Sequence, residues 1–244
     1  MGLACGFAVI TDIRISRVRG RCWGAAFAGP NLLELLVESD PASYQVGDIL
    51  MGKVERVLPG LRCAFVALAL GRAGFLPIDE TRYSELFALD AARGAGDRNV
   101  GRALQVGSPI LVQVVRTQEG NKGPKLTQRV SLTSSLIVYV PSGQGVSVSQ
   151  KIKDSATRAR LRVMGLALLK GHAGALIFRT LAGRATDAEL TQGVHGLFDQ
   201  GASLAAGSKR TQTIRCVEAG LRAPLRWLTA WQNPNLTSVT VDNE

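Results

Sequence analysis

The stretch GDILMGKVERVLPGLRCAFVALALGRAGFLP, from Gly47 to Pro77, alternates apolar and polar residues with a period of two. Pro59-Gly60 and Gly71-Arg72 interrupt the pattern, and the stretch QVGSPILVQVVRTQEGNKGPKLTQRVSL, from Gln105 to Leu132, resumes it around the turn GNKGP. Alternation bounded by Gly and Pro is typical of short antiparallel strands joined by tight turns. Five such strands, the last of them LTQRVSL, predict a small closed β-barrel.

Two phenylalanines lie on adjacent predicted strands of this barrel, Phe65 in CAFV and Phe75 in GFLP. Aromatic rings stack on bases and cations bind phosphates, so rings among basic residues are typical of a surface for single-stranded nucleic acid. Each piece also has a simpler explanation, because a Phe on a strand more often packs in a core and a basic residue there usually faces solvent. The surrounding basic residues are Lys53, Arg56, Arg62, Arg72, Arg116, Lys122 and Lys125.

Composition favours a polyanionic partner. The chain has 244 residues, 46% of them hydrophobic, and its 29 basic residues against 19 acidic ones give a net charge of +10. This excess favours nucleic acid before a membrane surface, and no apolar run reaches the roughly 18 residues of a membrane span. The scattered cysteines Cys5, Cys22, Cys63 and Cys216 form no CxxC pair. We therefore expect no zinc site in this chain and reduced thiols, as in a cytoplasmic protein.

The regions that flank the barrel predict further strands and helices. Three strands, Gly6–Ile15, Arg21–Ala28 and Leu32–Glu38, form a meander at the beginning of the chain. A helix begins near Thr81 and passes into a Gly- and Arg-rich loop that ends near Arg102. We expect this loop to be a solvated insertion, with a phosphate-contacting loop as the alternative.

The second half of the chain predicts an alternation of strands and helices. The strands are Leu136–Val140, GALIFRT and Thr237–Val241; the segments SGQGVSVSQ and AAGSKR are predicted loops. Ser155 is the expected N-cap of an amphipathic helix whose basic residues face solvent or hold RNA backbone. Thr186 and Glu189 form a capping box that opens a helix over Leu190–Ser208. Apolar spacing predicts another helix over Ile214–Trp231, which Gly220 and Pro224 would break or shift. The residues expected to face inward on it are Cys216, Leu221, Leu225, Leu228 and Trp231.

The segments GKVERVLPGLRCAFV, GFLP, ILVQVV, EGNKGPKLTQRVSL and YVPSGQGVSVSQKI, in that order, resemble the N-terminal half of the ribonuclease E/G family. The resemblance continues through GALIFRT and TSVTVDNE. It implies an α+β fold in which an S1-like OB-fold barrel and a 5′-sensor region are inserted into a split ribonuclease-H-like layer. The expected parts are residues 1–40 with 209–244 (the layer), 41–132 (the barrel) and 133–208 (the sensor region).

The resemblance also implies site residues. Phe65 and Phe75 would stack bases, while Arg116 and Lys122 would hold RNA phosphates. Arg179 and Thr180 would bind a 5′-monophosphate together with backbone groups of Val130. From the residues alone, Arg followed by Thr at a strand end suits a terminal phosphate, although many such pairs only cap a strand.

The chemistry implied by the resemblance is cleavage of single-stranded RNA by an endoribonuclease of RNA processing and decay. That family uses Mg²⁺ held by aspartates and zinc held by cysteines, and we expect these ligands beyond Glu244, with a homo-oligomer in the full-length protein. We expect no catalytic residue here, since His172, His195 and Asp12 each lack a catalytic partner in the sequence. The alternatives are a non-catalytic single-stranded RNA-binding or regulatory protein and, more weakly, a ribosome-associated adaptor.

Overall fold

The computed structural model describes residues 9–38, 43–81, 104–210, 213–220, 222–231 and 235–243. The chain divides into two compact units, Met1–Pro41 with Leu221–Glu244, and Ala42–Gly220. The predicted helix and Gly- and Arg-rich loop near residues 82–102 lie outside the described residues, as does the beginning of the predicted strand Gly6–Ile15. No helix in the described ranges is both long and apolar enough to cross a membrane.

The smaller unit is a four-stranded sheet with one short helix. Its strands, in the spatial order β14-β1-β2-β3, are β1 (Asp12–Val18), β2 (Arg21–Ala28), β3 (Asn31–Val37) and β14 (Ser238–Asn243). Strands β1 to β3 pair antiparallel, and β14 pairs parallel with β1. The helix α3 (Leu225–Trp231) buries Trp227 and Trp231 against Ile13, Ile15 and Ala26. This arrangement is an α/β layer built from both ends of the chain, as the resemblance implies.

The larger unit contains the predicted barrel, closed by pairing between its first strand and its fourth. The strands are β4 (Ile49–Leu58), β5 (Cys63–Ala67), β6 (Gly74–Pro77), β7 (Pro109–Arg116) and β8 (Lys125–Thr127). They follow one another around the barrel as β4-β5-β6-β8-β7, and β7 pairs with β4. Fully buried apolar side chains, among them Val54, Val66, Leu76, Val112 and Leu126, fill the interior. The predicted five-stranded OB-fold barrel is thereby confirmed.

The sequence predicts LTQRVSL as a single strand, and this prediction is wrong. Strand β8 ends at Thr127, and β9 (Leu132–Thr133) begins a second sheet. The Thr127 hydroxyl accepts the Arg129 N–H at 3.0 Å, a local hydrogen bond that turns the chain. Val130 therefore lies in the connection between the barrel and the second sheet.

The second sheet carries two helices. Its strands, in the spatial order β11-β12-β10-β9, include β10 (Ile137–Val140), β11 (Gln144–Val148) and β12 (Gly174–Phe178). The helices are α1 (Ser155–Leu168) and α2 (Asp187–Arg210). Gly165 lets α1 approach the sheet closely, since a Cβ there would lie 2.7 Å from the Phe178 ring. Buried side chains from α1, α2 and the sheet, such as Leu161, Phe178 and Leu190, form one core.

Several local predictions in this region need correction. The predicted loop SGQGVSVSQ contains β11, which pairs parallel with β12 and buries Val148, so a neighbouring strand outweighs its Gly- and Ser-rich composition. The N-cap of α1 is Asp154 and not Ser155, because the Asp154 carboxylate accepts the Thr157 N–H at 2.7 Å. The predicted loop AAGSKR belongs to α2. The capping box is confirmed, with the Thr186 N–H donating to Glu189 at 2.8 Å.

The predicted helix over Ile214–Trp231 is wrong in its first half. Strand β13 (Arg215–Glu218) pairs antiparallel with the beginning of β4, and Cys216, expected to face inward, is exposed. Leu225, also expected inward, is exposed in α3. The Gly220 backbone then packs so closely against that of Gly47 that a Cβ on Gly220 would have no room. The Gly220 N–H donates to the Asp48 carboxylate at 2.8 Å. Pairing with a distant strand is invisible to local apolar spacing.

Candidate nucleic-acid interface

A line of neighbouring residues crosses all five strands of the barrel. Arg56 on β4 is the register partner of Phe65 on β5, and Phe65 is the partner of Phe75 on β6. Phe75 neighbours Lys125 on β8, and Lys125 neighbours Arg116 on β7. We call Arg56, Phe65, Phe75, Lys125 and Arg116 the cross-barrel row. It has two aromatic rings at its centre and cations at both ends.

Two β-bulges place the outer cations in this row. The register of β4 shifts between Val54 and Arg56, and that of β7 shifts between Val114 and Arg116. Val54 and Val114 are buried in the barrel, whereas the two arginines are exposed. A bulge re-aims the side chains that follow it, and here it carries both basic residues to the outer surface.

The aromatic centre of the row lies on the barrel surface and not in its core. Ala64 and Val66 are fully buried, whereas Phe65 between them is half-buried and Phe75 is 37% exposed. The two rings meet edge to face with their centroids 6.1 Å apart. The Arg56 guanidinium carbon lies 5.5 Å from the Phe65 centroid, within cation–π range.

Lys122 lies in a tight turn at one end of the barrel. The Glu119 and Lys122 backbones exchange hydrogen bonds of 3.1 and 2.9 Å around Gly120, whose φ of 52° favours glycine. The Arg72 guanidinium holds this turn by donating to the Asn121 carbonyl and side-chain oxygens at 3.1 and 3.2 Å. The Lys122 side chain is exposed. The turn is therefore held from the neighbouring loop while its lysine remains open to a ligand.

The basic residues that the sequence predicts around Phe65 and Phe75 make different local contacts. Arg62 forms an exposed ion pair with Asp79 at 2.9 Å, and Arg72 binds the turn described above. Lys53 is exposed on β4. The cations that share the cross-barrel row with the two rings are Arg56, Lys125 and Arg116.

Arg179 and Thr180 follow directly after β12. The half-buried Arg179 guanidinium donates to the Ser134 carbonyl at 2.8 Å, and the Arg179 backbone N–H donates to the Leu136 carbonyl at 2.8 Å. Burial lowers the pKa of Arg179, but a guanidinium stays protonated in proteins. The Thr180 hydroxyl lies 3.2 Å from the Ser149 hydroxyl. The pair is therefore oriented by the loops around it.

The loop that carries Ser149 is itself held in place. The Ser149 N–H donates to the Phe178 carbonyl at 2.9 Å, which ties the loop to the end of β12. The Arg158 guanidinium on α1 donates to the carbonyls of Ser149 and Ile152 at 2.7 and 3.1 Å. Lys151 is exposed on the same loop. The Ser149 hydroxyl is thus held beside the Thr180 hydroxyl, on a loop that also carries the exposed Lys151. Hydroxyl and cationic donors are the groups that bind a phosphate.

Val130 contributes its side chain to the core of the second sheet and its backbone to the connection before β9. The Val130 side chain is 7% exposed. Within the described part of the chain, the Val130 N–H has no hydrogen-bond acceptor, although its neighbours Arg129 and Ser131 are both held by hydrogen bonds. A backbone N–H without an internal acceptor is the type of donor that binds an anion.

Sequence reasoning did not single out the other members of these sites. The sequence marks Arg56 and Lys125 only as basic residues around the rings, because the bulges and strand pairings that place them in the row leave no local signal. Ser149 belongs to the second site because its hydroxyl meets Thr180, and Arg158 on α1 holds the loop of Ser149 by hydrogen bonds. These contacts between a loop and a helix leave no signal in the sequence. Gln113, which holds Ser131, could have been noticed as a polar residue within the apolar strand ILVQVV.

The described residues contain no group of three or more His, Cys, Asp or Glu side chains that could hold a metal ion. The Asp12 carboxylate accepts hydrogen bonds from the Thr11 and Ser238 hydroxyls, with the Ser238 bond the larger cause of a lowered pKa for Asp12. The His172 ring stacks on Phe198 with the centroids 4.1 Å apart. These residues therefore fit neither the Mg²⁺ nor the zinc that the resemblance implies.

The family model and the named relatives that match this chain indicate one family. The family model described as "Ribonuclease E/G family" matches residues 131–244. Ribonuclease G of Escherichia coli K12 is 31% identical over 216 residues, which cover 88% of this chain and 44% of that protein. Ribonuclease G of Haemophilus influenzae is 29% identical over 87% of this chain and 43% of its own length. Ribonuclease E of Nostoc sp. PCC 7120 is 35% identical over 65% of this chain and 22% of its own length. The chain thus spans less than half the length of these curated relatives.

Proposed function

Because this chain belongs to the ribonuclease E/G family, we propose that it is the substrate-recognising part of an endoribonuclease that cleaves single-stranded RNA. The observation that carries the proposal is the cross-barrel row, in which two rings at the centre are flanked by three cations. The net charge of +10 adds a general attraction for a polyanion. RNA processing and decay are the proposed setting.

In this proposal the cross-barrel row binds bases and backbone of one strand. Phe75 offers the more exposed ring, and Phe65 extends the platform beneath Arg56. Arg116 and Lys125 lie on the other side of the rings and hold phosphates, and Lys122 extends the cationic surface at the barrel end. Stacking tolerates any base, so this surface favours single strands without a strong sequence preference.

The 5′ end of the RNA is proposed to bind at Arg179 and Thr180. The guanidinium and the hydroxyl offer donors whose positions are set by Ser134 and Ser149. The Val130 N–H is the proposed backbone donor. A 5′-monophosphate carries charge and acceptor oxygens that a 5′-hydroxyl lacks, so this site would favour monophosphorylated RNA.

The cleavage step is not assigned to any residue of this chain. Mg²⁺ and zinc enter the proposal only through the family, since the described residues fit neither metal. The assignment of residues 1–40 with 209–244, 41–132 and 133–208 to the layer, the barrel and the sensor region stays a prediction, as does homo-oligomerisation of the full-length protein.

The test is fluorescence anisotropy of this chain with one short single-stranded RNA that carries either a 5′-monophosphate or a 5′-hydroxyl. The salt concentration is held constant, because phosphate contacts make the affinity salt-dependent. We expect both RNAs to bind, with the monophosphate tighter. A duplex of the same sequence is the control, and we expect it to bind more weakly, since its bases cannot stack on the rings.

Each outcome bears on a different part of the proposal. Equal affinity for the two 5′ ends would remove 5′ sensing and leave an RNA-binding barrel. Tighter binding of the duplex would contradict the stacking surface and favour an adaptor for structured RNA. Failure to bind any RNA would remove the proposed function.

A further inference from the structure

Gln113 is a buried polar side chain on the outer face of the barrel. Its neighbours on β7, Val112 and Val114, point into the barrel core, so Gln113 points outward. It is nevertheless only 7% exposed, because the chain around Ser131 and Gly47 covers it. It therefore lies at the junction between the barrel and the connection that carries Val130.

The Gln113 amide makes four hydrogen bonds. Its Oε1 accepts the Ser131 N–H at 2.9 Å and the Ser131 hydroxyl at 3.2 Å. Its Nε2 donates to the Ser131 carbonyl at 3.0 Å and to the Gly47 carbonyl at 3.1 Å. A primary amide offers two donor hydrogens and an oxygen with two lone pairs, so its hydrogen-bonding capacity is used completely. Ser131 is thus clamped at its N–H, its hydroxyl and its carbonyl.

This clamp acts on the residue next to Val130. On the other side, the Arg129 N–H is held by the Thr127 hydroxyl at 3.0 Å. The Val130 N–H lies between these two anchored residues and has no acceptor within the described part of the chain. An N–H held in position but not used by the protein is suited to a bound anion, because no internal bond must break when the anion arrives.

We propose that Gln113 is a positioning residue of the 5′-end site: it aligns the Val130 N–H for the 5′-phosphate by clamping Ser131 to the barrel. This inference rests on the proposed function of Arg179, Thr180 and Val130. It adds a route by which the barrel, through Gly47 and β7, sets the geometry of the sensor. Gln113 itself does not touch the RNA.

A purely structural Gln113 would give a different result from a positioning one. If the amide only satisfies buried polar groups, its loss lowers the stability of the chain and weakens both RNAs equally. If it aligns Val130, its loss weakens the monophosphorylated RNA selectively. The ratio of the two affinities therefore separates the two roles.

The test compares Gln113→Met with the wild-type chain in anisotropy measurements on 5′-monophosphate and 5′-hydroxyl RNA. Methionine keeps the length and volume of the side chain and removes the four hydrogen bonds. We expect the preference for the monophosphate to fall about fivefold, with little change in binding of the 5′-hydroxyl RNA. The matched control is Gln105→Met, the same change at an exposed glutamine before β7, which should leave the ratio unchanged.

An unchanged ratio in folded Gln113→Met would overturn this inference while leaving 5′ sensing intact. No preference in the wild-type chain would overturn 5′ sensing and this inference together. If Gln113→Met does not fold, NMR of the wild-type chain tests the inference instead. We expect the Gln113 side-chain amide signals in NMR to shift with a 5′-monophosphorylated dinucleotide and not with its 5′-hydroxyl form. Equal or absent shifts with both would overturn the clamp.

Discussion

The cross-barrel row and the Arg179 site hold their side chains in opposite ways. In the row, Phe75 is 37% exposed and Arg116 is exposed at the end of a bulged strand. At the second site, the Arg179 guanidinium is half-buried and bonded to the Ser134 carbonyl, and Thr180 meets Ser149. An open surface accommodates many bases, whereas donors that are already oriented favour one small group of fixed shape. The two sites should therefore respond differently to mutation.

The largest effect is expected from removing both rings of the row. Each of Phe65→Ala and Phe75→Ala should weaken single-stranded RNA binding by about 1–3 kcal/mol, and the double variant should lose more, because a base stacks on each ring. Anisotropy should record the same loss for 5′-monophosphate and 5′-hydroxyl RNA. Leu61→Ala, a truncation at a side chain that is 73% exposed, is the matched control.

The alternative outcome for the rings is a loss of folding. Thermal unfolding of the Phe65 variant tests this, since Phe65 is half-buried between Arg56 and Phe75. A variant that unfolds at ordinary temperature would assign Phe65 to the barrel core. Weaker binding by a fully folded variant assigns it to the RNA surface.

A selective effect is expected at the second site. Arg179→Ala should cost about 2 kcal/mol for 5′-monophosphate RNA and leave 5′-hydroxyl RNA unchanged, because charged hydrogen bonds to the phosphate are lost. Arg179→Lys keeps the charge without the planar fork and should restore only part of the preference. The control is the exposed Arg184→Ala, which removes one positive charge from the same region. Equal weakening of both RNAs by Arg179→Ala would contradict the 5′-end site.

Arg56→Met tests the contribution of the cation at one end of the cross-barrel row. The guanidinium lies over Phe65 at 5.5 Å, and this cation–π contact is worth about 0.5–1 kcal/mol at an exposed position. That contact is internal to the chain, so the effect on RNA comes from the lost charge: we expect RNA binding to weaken modestly, with a shallower dependence on salt. Arg56→Lys should keep the salt dependence. Tighter binding by Arg56→Met would mean that the guanidinium covers the ring and competes with a base.

The smallest effect is expected at the capping box of α2. Hydrogen bonds from the Thr186 backbone and hydroxyl lower the pKa of Glu189 below its ordinary 4.5. A lowered folded-state pKa means that the ionised carboxylate stabilises the fold above pH 4.5 and loses this contribution as the pH falls through the folded pKa. Glu189→Gln should therefore lower the unfolding midpoint slightly at neutral pH and not in acid, without altering the preference for a 5′-monophosphate. A changed preference would mean that the stability of α2 limits sensing.

Part of the fold could be predicted from local sequence patterns alone. The barrel follows from apolar alternation between Gly and Pro turns, and the capping box follows from Thr186 and Glu189 alone. Strands β11 and β13 could not be predicted in the same way, because each exists by pairing with a strand far away in the chain. The same limit applies to Asp154, which replaces Ser155 as the cap because helix starts shift by a residue.

The sequence by itself determined the first four strands of the barrel, the charge and the identity of the rings and cations, since these depend on residue type and on spacing along the chain. Only the tertiary structure decided which of them meet. Two bulges bring Arg56 and Arg116 into line with Phe65 and Phe75, and the buried amide of Gln113 joins the barrel to Ser131. The reason is physical: hydrogen bonds and ring contacts reach only a few ångströms, so they follow the folded path of the chain and not the distance along it.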